Sequence, residues 1–322
     1  MTGPLIALTG ATGFIGQHLL RELPRLGYRV RVLLRRPASL PEEATGAVVG
    51  DLSRARNMST ALKDVDAVIH SAGLAHAMSG KPEDDYRAIN TEATVALARA
   101  AERAGVRRFV FLSSIRAQTG PVSRDILDES SPAAPTDAYG RSKLAAEEGL
   151  AEIGLDWVAL RPVLVYGPGV KGNMAALVGL ARTPYPLPFG SVDAKRSLLS
   201  LDNLAAAIDT VLRAPEPLRR PLIVADPEPL SLPDMITALR AGLGRPPGLL
   251  PVPAALLGAA LRLTGRGEMW ERVAGSLVVN PAALISLGWR PPIETRAGLA
   301  ALASLAAREA PAEPARSSAP GA

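Results

Sequence analysis

The chain has 322 residues, 48% hydrophobic and 21% charged, with a net charge of +5: an ordinary globular composition, long enough for one large or two medium domains. Its basic residues are scattered and only 4% of the chain is aromatic, which argues against nucleic-acid binding, while the lack of cysteine rules out disulfides, thiolate catalysis and cysteine-held metals. The histidines, His18, His70 and His76, form no close pair, so no metal site is expected, and no run reaches the roughly 18 apolar residues of a membrane span, so no stable membrane insertion and a cytoplasmic location are expected.

The first element is a short apolar run, Leu5-Ile6-Ala7-Leu8, which reads as a buried strand. It breaks at Thr9-Gly10-Ala11-Thr12-Gly13-Phe14-Ile15-Gly16, after which Gln17 to Leu26 reads as a helix. Strand, glycine turn and helix in that order suit a dinucleotide. The helix N-terminus offers unpaired N–H groups to a pyrophosphate, and glycines let it approach the backbone. Gly10 would turn the chain, Gly13 would lie under the phosphates and Gly16 would let helix and strand pack closely.

Arg29 to Leu34 alternates as a second strand and ends at Arg35-Arg36-Pro37. An acid near this place suits the ribose 2′-hydroxyl of NAD, whereas arginine suits a 2′-phosphate. Arg35 and Arg36 therefore favour NADP, with NAD as the alternative. Ala47 to Leu52 is predicted as a third strand that brings Asp51 and Leu52 to the adenine. Ala67 to Gly73 is a fourth, ending in Ala72 and Gly73, small enough to let the middle of a cofactor pass. His70, closing that run, reads as packing rather than catalysis.

Pro82 to Ala104 is predicted as one long helix with Ile89, Ala93, Leu97, Ala100 and Ala104 on one face. Phe109 to Ser114 is a fifth strand ending in two hydroxyls. The alternation to this point predicts an α/β fold, a doubly wound, Rossmann-like parallel sheet whose strands end at one ligand-facing edge. Ile115 to Thr136, polar and proline-bearing, is too long for an idle turn and is expected to shape a pocket.

Thr136 or Asp137 then caps a helix carrying Tyr139-Gly140-Arg141-Ser142-Lys143. Tyr139 and Lys143, at i and i+4, project from one face. Trp157 to Leu160 is a sixth strand. Beyond residue 166 prolines multiply and helical runs dominate, including 202–212, 232–243 and 253–263, which predicts a smaller, mostly helical substrate lobe. The expected division is 1–166 for the dinucleotide domain, 167–308 for the substrate lobe, not necessarily contiguous, and 309–322 for a disordered tail. The apolar run 253–263 has few cations and is expected to pack in the core.

Ser114, Tyr139 and Lys143 in this order suggest hydride chemistry at a carbinol or carbonyl carbon. A tyrosine hydroxyl is too weak a base unless a neighbouring cation stabilises its anion, and Lys143 is one turn away. Ser114, at a neighbouring strand end, can hold the substrate oxygen.

The chain resembles the extended short-chain dehydrogenase/reductase superfamily, in its NAD(P)-dependent sugar epimerase/dehydratase group, over about residues 5 to 300. The resemblance rests on Thr9 to Gly16, Asp51-Leu52, Ser113-Ser114, Tyr139 to Lys143, Arg161-Pro162 and Tyr166-Gly167-Pro168-Gly169. It implies Tyr139 as acid/base, Lys143 as the group that lowers its pKa and binds the nicotinamide ribose, and Ser114 as positioner of the substrate oxygen. It further implies Asn90 as support for the lysine, and Pro162 among the cofactor contacts. Gly167 to Met174 and Arg196 to Leu204 resemble the family's nucleotide-sugar segments. They imply Asn173 and Arg196 as diphosphate contacts, with Arg272 as a second arginine. Leu287-Gly288-Trp289 followed by Pro291-Pro292 resembles a closing motif.

One departure is visible: Ile115 to Gly120 replaces the Val-Tyr-Gly turn of many sugar epimerases, which changes the pocket wall. The whole looks closer to bacterial 4-keto reductases and 4-epimerases of UDP-N-acetyl sugars in surface polysaccharide synthesis. The expected activity is reduction of a UDP-4-keto-6-deoxy-N-acetylhexosamine. The alternatives are a UDP-N-acetylhexosamine or UDP-glucose 4-epimerase, a reductase of a steroid-like or other apolar alcohol, and a non-catalytic cofactor-binding sensor or assembly protein. A nucleotide-sugar substrate is the expected partner, and a homodimer is among the expected assemblies.

Overall fold

The computed structural model describes residues 3–54, 58–74, 81–265, 270 and 274–309. Within these, β1 (Leu5–Thr9) runs into α1 (Phe14–Arg25), and β2 (Arg29–Leu34), β3 (Ala44–Val48), α2 (Met58–Ala61) and β4 (Ala67–His70) follow. After α3 (Glu83–Tyr86), α4 (Ala93–Arg103), β5 (Arg108–Leu112), α5 (Ala138–Ala151), β6 (Asp156–Pro162) and β7 (Leu164–Tyr166) come α6 (Gly172–Ala181), β8 (Lys195–Arg196) and β9 (Leu198–Ser200). The chain continues through α7 (Leu201–Arg213), β10 (Arg220–Val224), β11 (Leu230–Ser231), α8 (Leu232–Gly242), α9 (Ala254–Leu263) and a helix at Thr295–Glu309.

Seven parallel strands form one sheet in the order β10-β6-β5-β4-β1-β2-β3. Strand periodicity explains why both faces are covered. Ile6, Leu8, Val30, Val32, Val110, Leu112, Val158 and Leu160 point to one face and pack with Leu19 and Leu23 of α1 and Leu204, Ile208 and Val211 of α7. Leu5, Ala7, Val68, Phe109, Phe111, Trp157 and Ala159 point to the other and meet Leu97, Ala98 and Ala101 of α4 and Ala146 and Leu150 of α5. Each large apolar side chain buried this way contributes about 1.5–3 kcal/mol.

Three expectations shift. The third strand lies at Ala44–Val48, not 47–52, and Leu52–Arg54 is a 3-10 turn. As the edge strand, with Gly46 in its middle and only intermediate or exposed residues, it carries no buried apolar run to mark it. The long helix expected over 82–104 is interrupted by a π-helical stretch, Arg87–Glu92, whose wider turn brings Asn90 inward and leaves Ile89 38% exposed. The segment 253–263 forms a helix, as its pattern predicts, but lies on the surface: only Gly258 of α9 is buried, against Trp270, while Leu256 and Leu263 are 63% and 89% exposed.

The segment 167–308 does not stay apart from the sheet. It returns as α7 and as β10, the seventh strand, which pairs with β6 from Arg220↔Val158 to Val224↔Pro162. Pro221 is tolerated there because β10 is an edge strand. The remainder has its own core, in which Met174 and Val178 of α6, Met235 and Leu239 of α8, and Leu299 and Leu302 of the helix Thr295–Glu309 pack around Tyr166 and Leu198. Among the described residues, no helix is long and apolar enough to cross a membrane.

Candidate active site

The glycine loop closes at the carboxyl end of β1. Gly10 has a φ of +69°, which favours glycine, and a Cβ there would meet the Ala72 nitrogen at 2.6 Å. A Cβ on Gly16 would meet the Gly10 carbonyl oxygen at 2.0 Å, so this glycine is needed for helix to lie on strand. Gly13, exposed, is the N-cap of α1; it brings no side chain to the helix N–H groups, and no acid occupies the first turn. Thr12 is exposed and Phe14 and Ile15 are half-buried beside it. Ser71 Oγ donates to the Thr9 carbonyl at 2.7 Å and the Ala72 N–H donates to Thr9 Oγ1 at 3.2 Å, tying the end of β4 to the loop.

From Ala72 the cleft floor passes over Gly73, where a Cβ would meet Asn90 Oδ1 at 2.8 Å and Lys143 Nζ at 3.4 Å. Asn90 Oδ1 accepts from the Leu74 N–H at 2.8 Å, and its amide donates to Ser142 Oγ at 3.0 Å. Asn90 thus links the strand end to α5. At the same edge of the sheet, Arg35, Arg36 and Asp51 are exposed after β2 and β3, and Leu52 is half-buried. Pro162 is the buried last residue of β6, paired with Val224 in the sheet.

Ser114, Tyr139 and Lys143 come together. Asp137, one of the two predicted caps, accepts from the Gly140 N–H at 2.7 Å and starts α5 so that Tyr139 lies in its first turn. Ser114 caps the 3-10 turn Ile115–Ala117. Burial pushes the Tyr139 phenol above its ordinary range, and its hydrogen bond with Ser114 acts the other way. Burial draws the Lys143 ammonium down to about 8, opposed by the Glu147 carboxylate. Lys143 Nζ donates to the Leu112 carbonyl at 2.8 Å and lies 4.5 Å from the Phe111 ring centroid and 5.9 Å from that of Tyr139. A half-buried tyrosine hydrogen-bonded to a serine, with a lysine on the same helix face, can exchange a proton with a substrate hydroxyl held at Ser114.

A buried network below this group was not anticipated. Arg161 donates to both oxygens of Glu147, at 3.1 Å from Nε and 2.5 Å from Nη2, and to Gln118 Oε1 at 3.0 Å. Ser113 Oγ donates to Glu147, and Gln118 holds the Asp128 and Ser131 carbonyls of the following loop. Glu147 is four residues beyond Lys143 and eight beyond Tyr139, so helical spacing was the signal that could have placed it on their face.

A model of the family described as "NAD dependent epimerase/dehydratase family" matches residues 6–224. A UDP-glucose 4-epimerase of Vibrio cholerae is 36% identical over 89% of this chain and 90% of its own. The chain belongs to the NAD dependent epimerase/dehydratase family. A ceramide reductase of Caulobacter vibrioides is 31% identical over 66% of this chain and 62% of its own length. Among solved structures, MoeE5 in complex with UDP-glucose and NAD is 26% identical and covers 95% of this chain, with 99% of its own chain covered, at a TM-score of 0.71.

As a member of this family the protein is an enzyme with a Rossmann-like dinucleotide domain. The dinucleotide of the family name fits the residues present: an acid-free helix N-terminus without a capping side chain, reached through a turn whose Gly10 and Gly16 leave no room for a Cβ.

The residues expected to hold a diphosphate are dispersed over the second lobe. Arg196, on β8, donates to the Pro121 carbonyl at 3.2 Å and therefore faces the loop that follows β5. Burial and the nearby Arg116 guanidinium both lower its pKa. Asn173 is exposed in the first turn of α6. Arg272 and His76 lie outside the described residues. His70 is fully buried between Thr9 and Thr94, as a packing residue would be.

Proposed function

We propose that this protein is a 4-epimerase of a UDP-hexose. The observation that carries the reading is the 36% identity to the Vibrio cholerae UDP-glucose 4-epimerase across 89% of the chain, together with Ser114, Tyr139 and Lys143 in one group. It replaces the expected 4-keto reduction as the leading reading, because a UDP-sugar epimerase is a relative that spans nearly the whole chain. Reduction of a ketone to an apolar alcohol draws on the ceramide reductase, whose match covers 66% of the chain. UDP-N-acetyl sugars remain within the proposed substrate class.

Gly10 to Gly16, Ala72, Gly73, Asn90 and Lys143 would hold the dinucleotide, which when bound takes a hydride from the sugar and returns it. Tyr139, as phenolate, takes the proton of the C4 hydroxyl as hydride leaves that carbon. Ser114 holds the resulting C4 oxygen, and Tyr139 gives its proton back once the sugar has presented its other face. The Lys143 cation favours the phenolate form of Tyr139. Arg196 and Asn173 are assigned to the diphosphate, which anchors the nucleotide while the sugar turns.

The test is direct. Purified protein with UDP-glucose, and separately UDP-N-acetylglucosamine, is followed by NMR for the C4 epimer, with no coenzyme consumed per turnover. Tyr139→Phe is expected to lower kcat by at least about a hundredfold with coenzyme binding retained. Stoichiometric consumption of NADPH with a 4-keto sugar, and no epimer from either UDP-sugar, would return the reading to a reductase.

A further inference from the structure

We propose that Arg116 is a positioning residue of the active site, joining the end of β5 to the first turn of α5 and setting its largely enclosed charge against that of Asp137 beside Tyr139. The main chain makes half of the connection. The Arg116 N–H donates to Ser114 Oγ at 3.1 Å, which orients the serine hydroxyl. A Cβ on Gly140 would meet the Arg116 carbonyl oxygen at 2.2 Å, so α5 rests directly on this residue. The side chain makes the other half, since Nη2 pairs with Asp137 Oδ2 while Asp137 Oδ1 caps α5 at Gly140. Ser114 and Tyr139 are thereby held against each other through one residue.

The remainder of the guanidinium indicates a role for its charge. Its side chain is 14% exposed, and Nε and Nη1 are shut from solvent with no hydrogen-bond partner among the described residues. Largely burying a cation with the three N–H groups of Nε and Nη1 unpaired is costly, and a helix cap alone needs no cation. Several charged or titratable groups face Tyr139. Asp137 and Tyr86 disfavour its ionisation, whereas Arg116 favours it. Lys143 approaches from α5 itself, Arg196 is near Arg116, and Arg141 is turned outward to Glu83. Arg116 is thus the cation that offsets the carboxylate required to start the helix.

The proposal rests on Tyr139 being the acid/base, but its test needs neither substrate nor coenzyme, so a failure to epimerise UDP-sugars would leave the result interpretable. Full-length protein carrying carbon-13 at the tyrosine Cζ is titrated by NMR, and Tyr139→Phe identifies the Tyr139 signal among the five tyrosines. Arg116→Gln is expected to raise the Tyr139 midpoint by about one pH unit, Asp137→Asn to lower it, and Arg116→Lys to leave it within about half a unit of wild type. Simple loosening would admit water and lower the midpoint in both neutralised variants, because burial is what raises it in the wild type. A folded Arg116→Gln protein with an unchanged or lowered midpoint overturns the proposal. Where that variant does not fold, Arg116→Lys decides: a midpoint displaced by more than about half a unit overturns it, and a smaller displacement supports it.

Discussion

His70 illustrates how hydrogen-bond arithmetic fixes the state of a single side chain. The Thr94 hydroxyl has one proton, which goes to the Asn90 carbonyl at 2.6 Å, so His70 Nε2 must donate to Thr94 Oγ1 at 3.0 Å. Nδ1 is then the acceptor for Thr9 Oγ1 at 2.7 Å. Adding a proton would destroy that bond and place a second charge near Lys143, and burial with this repulsion pulls the imidazole down to about 3. Unfolded, it titrates near 6.5. The unfolded chain therefore binds the extra proton between these values, and stability contributed by neutral His70 is present above about 6.5 and lost as pH falls toward about 3. Urea unfolding in this window should show a pH slope steeper in wild type than in His70→Gln by up to about 1.4 kcal/mol per pH unit. Equal slopes would mean that His70 is not held neutral. After β2, Arg35 and Arg36 are exposed and unencumbered by an adjacent acid in sequence. If they hold a 2′-phosphate, replacing both by alanine should weaken NADP by about 1.5–3 kcal/mol per contact and leave NAD nearly unchanged, as read by calorimetry. Equal losses for the two coenzymes, or a wild type that prefers NAD, would remove the arginines from the site.

Between elements, the decisive tie is from α5 to β6. The Glu147 and Arg161 side chains are 4% and 6% exposed, and neither charge has water to fall back on. Such a pair is weak evidence of net stability, but removing one member leaves the other uncompensated. Glu147→Ala is therefore expected to destabilise the fold by about 3–5 kcal/mol in urea unfolding, and Glu147→Met combined with Arg161→Met to recover much of the loss. Additive losses in the double variant would show that the two side chains act separately. The same network reaches Gln118, which anchors the loop over 115–136, so the helix carrying Tyr139 and the wall of the cleft are fixed by one set of hydrogen bonds.

At the scale of the molecule, the fold brings a two-stranded sheet, β8 with β11, against the loop that follows β5. Arg196 sits on that sheet, remote in sequence from the glycine loop. If it grips the diphosphate, Arg196→Ala should weaken binding of UDP roughly ten- to hundredfold, about 1.5–3 kcal/mol, with coenzyme affinity unchanged. UDP binding by the variant as strong as by wild type would exclude Arg196, and no UDP binding by the wild type at millimolar concentration would sink the sugar-nucleotide reading altogether.

Local chemistry accounts for what could be read from the residues alone. The loop from Gly10 to Gly16 was legible because a turn with left-handed φ and a close helix contact demand glycine at fixed spacing, and the helix start at Asp137 because a cap is a contact with a residue three positions on. Tyr139 and Lys143 share a face by the period of the helix, and the interior strands announce themselves as apolar runs since both sheet faces are covered. Elsewhere the outcome depended on neighbours distant in the chain. β10 reads as a proline-bearing fragment until the edge of β6 supplies its hydrogen bonds, and the π-helical turn that brings Asn90 inward has no period of its own in the sequence. Arg116, Glu147, Gln118 and Arg161 look like solvated polar residues in a list of letters. Only when the sheet, α5 and the loop after β5 close over them does water leave, and a buried charge must then find its partner or be spent on the site beside it.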